Sequence, residues 1–479
     1  MKVVNLSRKL VASTAVGLTV VAAGVIPSTH TSAARATVAM GPAQSRLSAT
    51  HAQLWRQFVS SLKGKYTGKT LHVIMINDPF LPAFQKMSAT FKSVSGANVV
   101  IDSYAYNPTY DKEVLAGTQH SSTYDITVFD LPWMQKFVPY VDPLDSYIAK
   151  TNPTLLEYND FFQVMRQGST WNGHVVGFPF APYFVLQHYN TKYYQTLGLK
   201  PATTLAQFAH NAQVANKNSK LPSVYGTAMN NQAGSAVGQA FFEYIYSFAG
   251  GKPFASEYPG SKSPYSDMTP MFASKQGLAV VNYLKGLLPS EPPGALNIAW
   301  TDRQSDFNTG KVAAVNQWDV TTPSASDPTQ STVANSYAVA PFPHNGPLTT
   351  QVGGWTMGIN KYGTQKSLAW DFIKWFTSPE TSVQFARAGG FPPRTSSLSD
   401  PTLTKLYPWY GTLRTVVPTA FADCRPRIAE SFDIINTLGT YISKALSGSE
   451  STEQAMKQAD VAVGTLLKKA GYTVRSMND

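Results

Sequence analysis

The apolar and polar positions of this chain fall into short runs of two kinds. Residues 71–76 (LHVIMI), 98–104 (NVVIDSY) and 125–129 (DITVF) are compact apolar runs of strand length, bounded by turn formers. Between the first two, Phe84, Met87, Ala89 and Phe91 are the candidate buried positions of a helix. A polar segment of helical character leads to the third. Strands that alternate with helices predict βαβ units and a parallel sheet. Two extended runs follow, 175–179 and 184–189, separated by Ala181-Pro182, as expected where a chain crosses between two domains. Thr204 precedes LAQFAHNAQVA with the chemistry of an N-cap. In residues 365–376, Ala369, Phe372, Ile373 and Phe376 recur at i, i+3, i+4 and i+7, which predicts a helix. Ser378-Pro379 supplies the N-cap and first turn of the next one. Residues 428–446 and 451–469 read as helices, and 250–270 and 320–335 as loops. No repeat of 20–50 residues is visible.

Length and composition narrow the class. The 479 residues suffice for two domains, and an apolar fraction of 43% is that of a globular protein. Lysine and arginine total 39 against 28 acidic residues, a net charge of +11. The basic residues are scattered singly, so no nucleic-acid partner is expected. A surface poor in acids suits an extracytoplasmic protein, one exposed to acid in particular. Lys2, Arg8 and Lys9 precede an apolar stretch from 10 to 26, and Ala34-Arg35-Ala36 fits a cleavage site. Residues 1–36 therefore read as a signal peptide or an N-terminal membrane anchor, and 37–69 as a linker and short helix. Cys424 is the single cysteine, so no internal disulfide forms, and it lies far from the leader.

The catalytic and cofactor signatures are missing. There is no HExxH, G-x-S-x-G, Walker lysine loop or G-x-G-x-x-G, and the eight histidines show no metal-ligand spacing. No cofactor is expected. Tyr193-Tyr194 sits at a helix start, where packing explains it. Asp78, Asp130, Asp302 and Asp319 could in principle form a glycosidase pair, but nothing in their local sequence supports one.

Five segments, taken in order, resemble the extracellular solute-binding proteins of ABC importers, in the carbohydrate-binding group similar to maltose-binding protein. They are YDITVFDLPWMQKFVPYVDPLDSYI (124–148), WNGHVVGFPFAPYFVLQHYNTKYYQTLGLKPATTLAQF (171–208), FNTGKVAAVNQWD (307–319), the stretch from GGWTMGIN to FPPRTS (353–396) and the helical pair over 428–469. Thr204-Leu205 replaces the usual Thr-Trp, and Ala313-Ala314 lacks the usual methionine. A lipoprotein cysteine is absent, which leaves the mode of membrane attachment open. The resemblance implies an α/β, two-lobed periplasmic-binding-protein fold, each lobe a mostly parallel sheet flanked by helices, with a ligand cleft and hinge between them. The expected divisions are 70–181 and 353–400 for the first lobe, 182–352 and 401–479 for the second. The implied function is the substrate-binding subunit of a carbohydrate importer, a monomer and not an enzyme. It would capture a sugar or oligosaccharide by hinge closure and deliver it to membrane permease subunits. A polyamine, organic anion or glycerol phosphate is the alternative ligand, and a glycan-acting enzyme the more distant one.

Ligands of open α/β sheets bind at the carboxyl ends of strands. Asn77 and Asp78 follow the first predicted strand, Asp130 and Trp133 the third. Sugars need charged or amide partners for hydroxyls and aromatic faces for C–H surfaces, and this strand end offers both. Asp130 could equally cap a turn, and Trp133 could be a core ring. Positions matched to the family add Tyr183, Trp318, Asp319, Gly353, Gly354, Trp355 and Arg394. The two glycines would allow close backbone approach to a ligand or serve as a hinge.

Overall fold

The computed structural model describes residues 49–256, 266–346 and 350–475. The predicted leader and the start of the linker lie outside these residues. No helix among the described residues is long and apolar enough to cross a membrane. The described residues all belong to one compact unit.

The three apolar runs become β1 (Thr70–Ile76), β2 (Asn98–Tyr104) and β3 (Ile126–Asp130). They are connected by α2 (Leu81–Ser95) and α3 (Tyr106–Thr118) after an N-terminal helix α1 (Ala49–Leu62). β1 pairs in parallel with both neighbours, so the βαβ expectation holds for this half. On α2, Phe84, Met87 and Phe91 are buried as predicted, whereas Ala89 faces outward. The buried face follows 84, 87, 88 and 91, the helical i, i+3, i+4, i+7 series, and position 89 falls off it.

The end of the first extended run and the whole of the second join through Ala181-Pro182 into one long strand, β4 (Phe178–Asn190), with a register shift between Pro179 and Ala181, while His174–Val175 pairs separately with Thr170–Trp171. After α4 (Leu205–Ala215), capped by Thr204 whose hydroxyl accepts from Gln207 N–H at 3.1 Å, the chain builds a mainly helical half. It contains α5 (Ser235–Ile245), α6 (Lys275–Leu287) and α7 (Trp300–Asn308), with β5 (Ala314–Trp318) and β6 (Tyr337–Pro341). A one-turn helix at Thr322–Ser326 occupies part of the predicted 320–335 loop. β7 (Thr350–Ile359) then returns, followed by α8 (Lys366–Phe376), α9 (Pro379–Arg387), a short strand β8 (Ala420–Phe421), α10 (Ser431–Ser447) and α11 (Thr452–Lys469).

The sheet order is β2-β1-β3-β7-β4-β5, with β6 beside β4 and β8 beside β7. The sheet is parallel over β2-β1-β3, as expected for the first half, and mixed beyond it. β7 runs antiparallel to β3 and to β4, and β4 runs antiparallel to β5 and β6. The cause is the two long strands, which serve both halves of the sheet. β4 pairs with β7 as far as Phe184 and with β5 and β6 from there on. Helices Pro401–Leu406 and Tyr410–Val416 pack with Leu131, Phe162 and Met165, and with Phe184, Leu186 and Val352 of the crossing strands, in a cluster of their own.

Candidate functional site

The C-terminal end of β3 is where the fold gathers its chemistry. Asp130 ends the strand in extended backbone, and a Leu-Pro-Trp turn carries Trp133 inward. Asp130 is 3% exposed yet fully engaged. Arg425 grips it with both Nη atoms, at 2.6 and 2.9 Å, and Tyr106 donates its hydroxyl at 2.8 Å. A bidentate guanidinium–carboxylate contact is the strong form of ion pair, and its burial makes each partner dependent on the other. Burial alone would lower the Arg425 pKa, but Asp130 and Tyr106 outweigh it and raise it.

Asp78, beyond β1, accepts from Tyr183 Oη at 2.6 Å. Burial pushes its carboxyl up to about 6, against the lowering hydrogen bonds of Tyr183 and Trp355 and with added repulsion from Asp130. Trp133 is fully buried and meets Trp355 edge-on, ring centres 5.6 Å apart. Tyr106 lies 5.0 Å from Trp133 and 5.7 Å from Trp300, which opens α7. Tyr110 stacks on Phe432 of α10 at 4.1 Å. Ser235, the first residue of α5, donates to Asn107 of α3 at 3.0 Å. The first turns of α5, α7 and α10 thus face the first turn of α3 across the site. Helix starts suit a polar site, because their backbone N–H groups lack intrahelical partners.

Sequence-predicted positions divide into three groups. Asp78, Asp130, Trp133, Tyr183 and Trp355 come together in this cluster. Trp318, Gly353 and Gly354 form its floor, at the strand crossing. Trp318 lies 6.5 Å from the Tyr183 ring, and a Cβ on Gly353 would sit 3.1 Å from Arg425 Nη2 and 3.2 Å from the Trp318 ring. Gly354 has φ +125°, and a Cβ there would be 2.3 Å from Ala181 carbonyl oxygen. Its smallness serves strand against strand.

The third group lies apart. Asn77 is exposed, and only its backbone N–H is engaged, with Tyr104 O at 2.7 Å. Asp319 is buried and accepts the Phe184 N–H at 2.9 Å, fixing β4 where it changes partners. Burial raises its carboxyl well above the usual range, despite backbone N–H groups that pull it down. Arg394 is the clear correction. Its guanidinium donates to the carbonyls of Thr377, Leu156 and Glu157 and to Asp160, and it stacks over Phe161 at 3.9 Å. A guanidinium so engaged inside the first half of the fold has no reach to the cluster.

Arg425, Tyr106, Trp300 and Phe432 were not predicted. Arg425 meets Asp130 across 295 residues of chain, and none of the four stands in a local pattern that marks it.

The model of the family described as "Bacterial extracellular solute-binding protein" matches residues 76–382. The chain belongs to this family. This solute-binding protein is 24% identical over 420 residues to a probable amino-acid ABC transporter periplasmic-binding protein of Sinorhizobium fredii, covering 86% of the chain and 93% of the relative. It is also 24% identical to a mannitol-binding protein of Pseudomonas aeruginosa, over 66% of this chain and 74% of that one. A solute-binding protein of Agrobacterium radiobacter, solved in complex with ribitol, superposes with a TM-score of 0.77 at 28% identity, over 84% of this chain and 99% of the other. The maltose-bound MalE3 of T. maritima has a TM-score of 0.74 at 20% identity, over 84% of this chain and all of its own, and so shares the fold of this solute-binding protein.

Proposed function

We propose that this solute-binding protein is the extracytoplasmic receptor of an ABC importer for a neutral polyhydroxylated solute, a sugar or sugar alcohol. One observation carries the reading: paired opposite charges, Asp130 and Arg425, are buried among Tyr106, Trp133, Trp300 and Trp355. Carboxylate and guanidinium take hydroxyls as donors and acceptors, and the rings cover C–H surface. The names of the mannitol-binding relative and the ribitol complex support it. The ligand would enter between the lobes and bridge them, favouring closure, and the closed form would dock on permease subunits as a monomer, with no bond made or broken.

The lobes would be 70–181 with 353–419, and 182–352 with the C-terminal part. We place the last crossing near Ala420 instead of 400, because helices 401–416 pack on the crossing strands.

A second reading is an amino-acid ligand, favoured by the name of the Sinorhizobium relative and by the same charge pair, which could part to meet a zwitterion. A thermal-shift screen separates them, since a ligand that binds only the folded state raises Tm with concentration. The expected result is a rise with ribitol, D-mannitol or a sugar and none with amino acids. A rise with amino acids alone would replace the first reading with the second. A sugar consumed on incubation would point to an enzyme instead.

A further inference from the structure

Beneath the aromatic cluster lies a second set of polar side chains, on the α5–α7 side. Ser235, Gln239 and Glu243 recur every fourth residue, so they form one row along α5. The row starts at Ser235, which touches Asn107 of the opposite half, and runs inward about 12 Å, at 1.5 Å per residue. Trp300 and Arg303 make a parallel row on α7, from the ring that meets Tyr106 to a guanidinium one turn deeper. The deep ends converge, with Arg303 Nη1 3.9 Å from Glu243, too far for a hydrogen bond. Arg425 acts electrostatically on Glu243 as well, which ties this row to the Asp130 pair. Asn230 precedes α5 and is fully buried.

These groups are sealed from solvent and short of partners, although Arg303 Nη1 already donates to Asn316 O at 2.7 Å. Asn230, Gln239, Glu243 and Arg303 are each no more than 3% exposed. Both amide atoms of Asn230, both carboxylate oxygens of Glu243, Gln239 Nε2 and Arg303 Nε make no hydrogen bond. A buried polar atom without a partner is costly, and native folds keep few of them. So many on α5, on α7 and on the segment that leads into α5 point to a site completed by a ligand. The required chemistry is specific. Arg303 and Gln239 offer donors, Glu243 accepts, and Asn230 does both. The charges of Arg303 and Glu243 cancel, so neither a cation nor an anion is favoured. A hydroxyl donates and accepts at once, and one placed between Glu243 and Arg303 would satisfy both.

We propose that Asn230, Gln239, Glu243 and Arg303 bind the hydroxyls of one end of the ligand, and that their linear array selects an extended sugar alcohol over a pyranose ring. The proposal rests on the receptor function proposed above and names its substrate class. Two features favour the open chain. The polar groups lie in rows along helices instead of around a disc. At the mouth Trp133 and Trp355 meet at 82° and Tyr106 and Trp300 at 44°, and the one near-parallel pair, Tyr110 and Phe432, is already closed at 4.1 Å, which gives a pyranose no parallel pair of faces to enter.

The test is calorimetric titration of the protein with ribitol, D-mannitol, D-glucose and maltose, repeated on Asn230→Ala, Gln239→Leu and Glu243→Gln. Wild type should bind a sugar alcohol roughly ten-fold or more tightly than either cyclic sugar. Each variant that keeps the wild-type Tm should lose roughly ten-fold or more of that affinity. Three substitutions on two segments guard against one failing to fold. Folded variants that bind the sugar alcohol as wild type does would overturn the assignment of these residues. Wild type that prefers D-glucose or maltose would overturn the open-chain selectivity while leaving the receptor function intact. Wild type that binds none of the four would remove the sugar and sugar-alcohol reading, and this proposal with it.

Discussion

Single residues here are held by pairings that cannot lose one member cheaply. Asp130 and Arg425 are 4% and 5% exposed at the side chain. Asp130→Asn removes the charge but keeps an acceptor for Tyr106, and leaves Arg425 buried without its counter-ion. The expected loss is about 3 kcal/mol of unfolding free energy, the lower end for breaking a buried pair, read as a lower urea midpoint with unchanged slope. Gly354→Ala should cost about 1–3 kcal/mol in backbone strain alone, with the overlap on Ala181 oxygen added. Its Tm should fall well below that of Gly346→Ala, whose nearest neighbour is 4.0 Å away. At this scale the sequence was informative where a strand end projects its own side chains, as with Asp78, Asp130 and Trp133. It was silent where the partner arrives from far along the chain. Arg425 looks like any basic residue until β8 brings it beside β7, and Tyr106 is one of 24 tyrosines. Arg394 misled because its motif does mark a fixed position, but one where three backbone carbonyls and the Asp160 carboxylate hold the guanidinium.

Among elements, α1 is attached by a histidine. His51 is fully buried, its Nδ1 2.7 Å from Thr154 oxygen and its Nε2 3.1 Å from Glu380, with Glu157 at 3.3 Å. Both ring nitrogens face acceptors, which the imidazolium alone can satisfy. Burial lowers its pKa, but the Glu380 and Thr154 hydrogen bonds and the two glutamate charges prevail and raise it above 6.5. The folded form therefore binds the proton more tightly. Its stabilisation is complete below pH 6.5 and is lost as pH rises through the folded value. Amide exchange in α1 should accelerate from pH 6 to pH 9 by more than the intrinsic rate, and His51→Gln should abolish that excess. The elements were the most legible level of the sequence. The three strands and the capped helices at Thr204 and Ser378 declare themselves by apolar period and cap chemistry, which are local. Strand direction was legible for β1, β2 and β3 but not beyond, because it is decided there by where β4 and β7 go after leaving the first half.

Over the whole molecule, buried carboxyls set the pH response. Burial raises Asp78 and Asp460 to about 6 and Glu291 to about 7, and Glu113 and Asp319 well above their usual range. Each takes up its proton more readily folded than unfolded, so each favours the fold increasingly as pH falls from about 7 towards 4. Asp371 opposes them. It is partly buried, which raises it, but Lys374, Lys65 and Tyr66 lower it overall, so its contribution is lost in more acid solution. The expected Tm profile rises from pH 8 to about pH 5 and falls below about pH 4, which circular dichroism melts would show. A fold most stable in mild acid fits a chain with few carboxylates, 28 acidic residues in 479.

The meeting of indoles at the strand end also has an optical consequence. Trp133 and Trp355 stand nearly perpendicular, their centres 5.6 Å apart, in one half of the fold, while Trp300 reaches Tyr106 from the other. Chromophores this close couple their excited states, so the pair should give a strong near-ultraviolet dichroic signal in every state of the hinge. Trp300 would gain water whenever the halves part, shifting its emission to the red. The protein thus carries a constant internal standard and a separate reporter of opening in its own side chains, and its hinge can be followed by light without any attached dye.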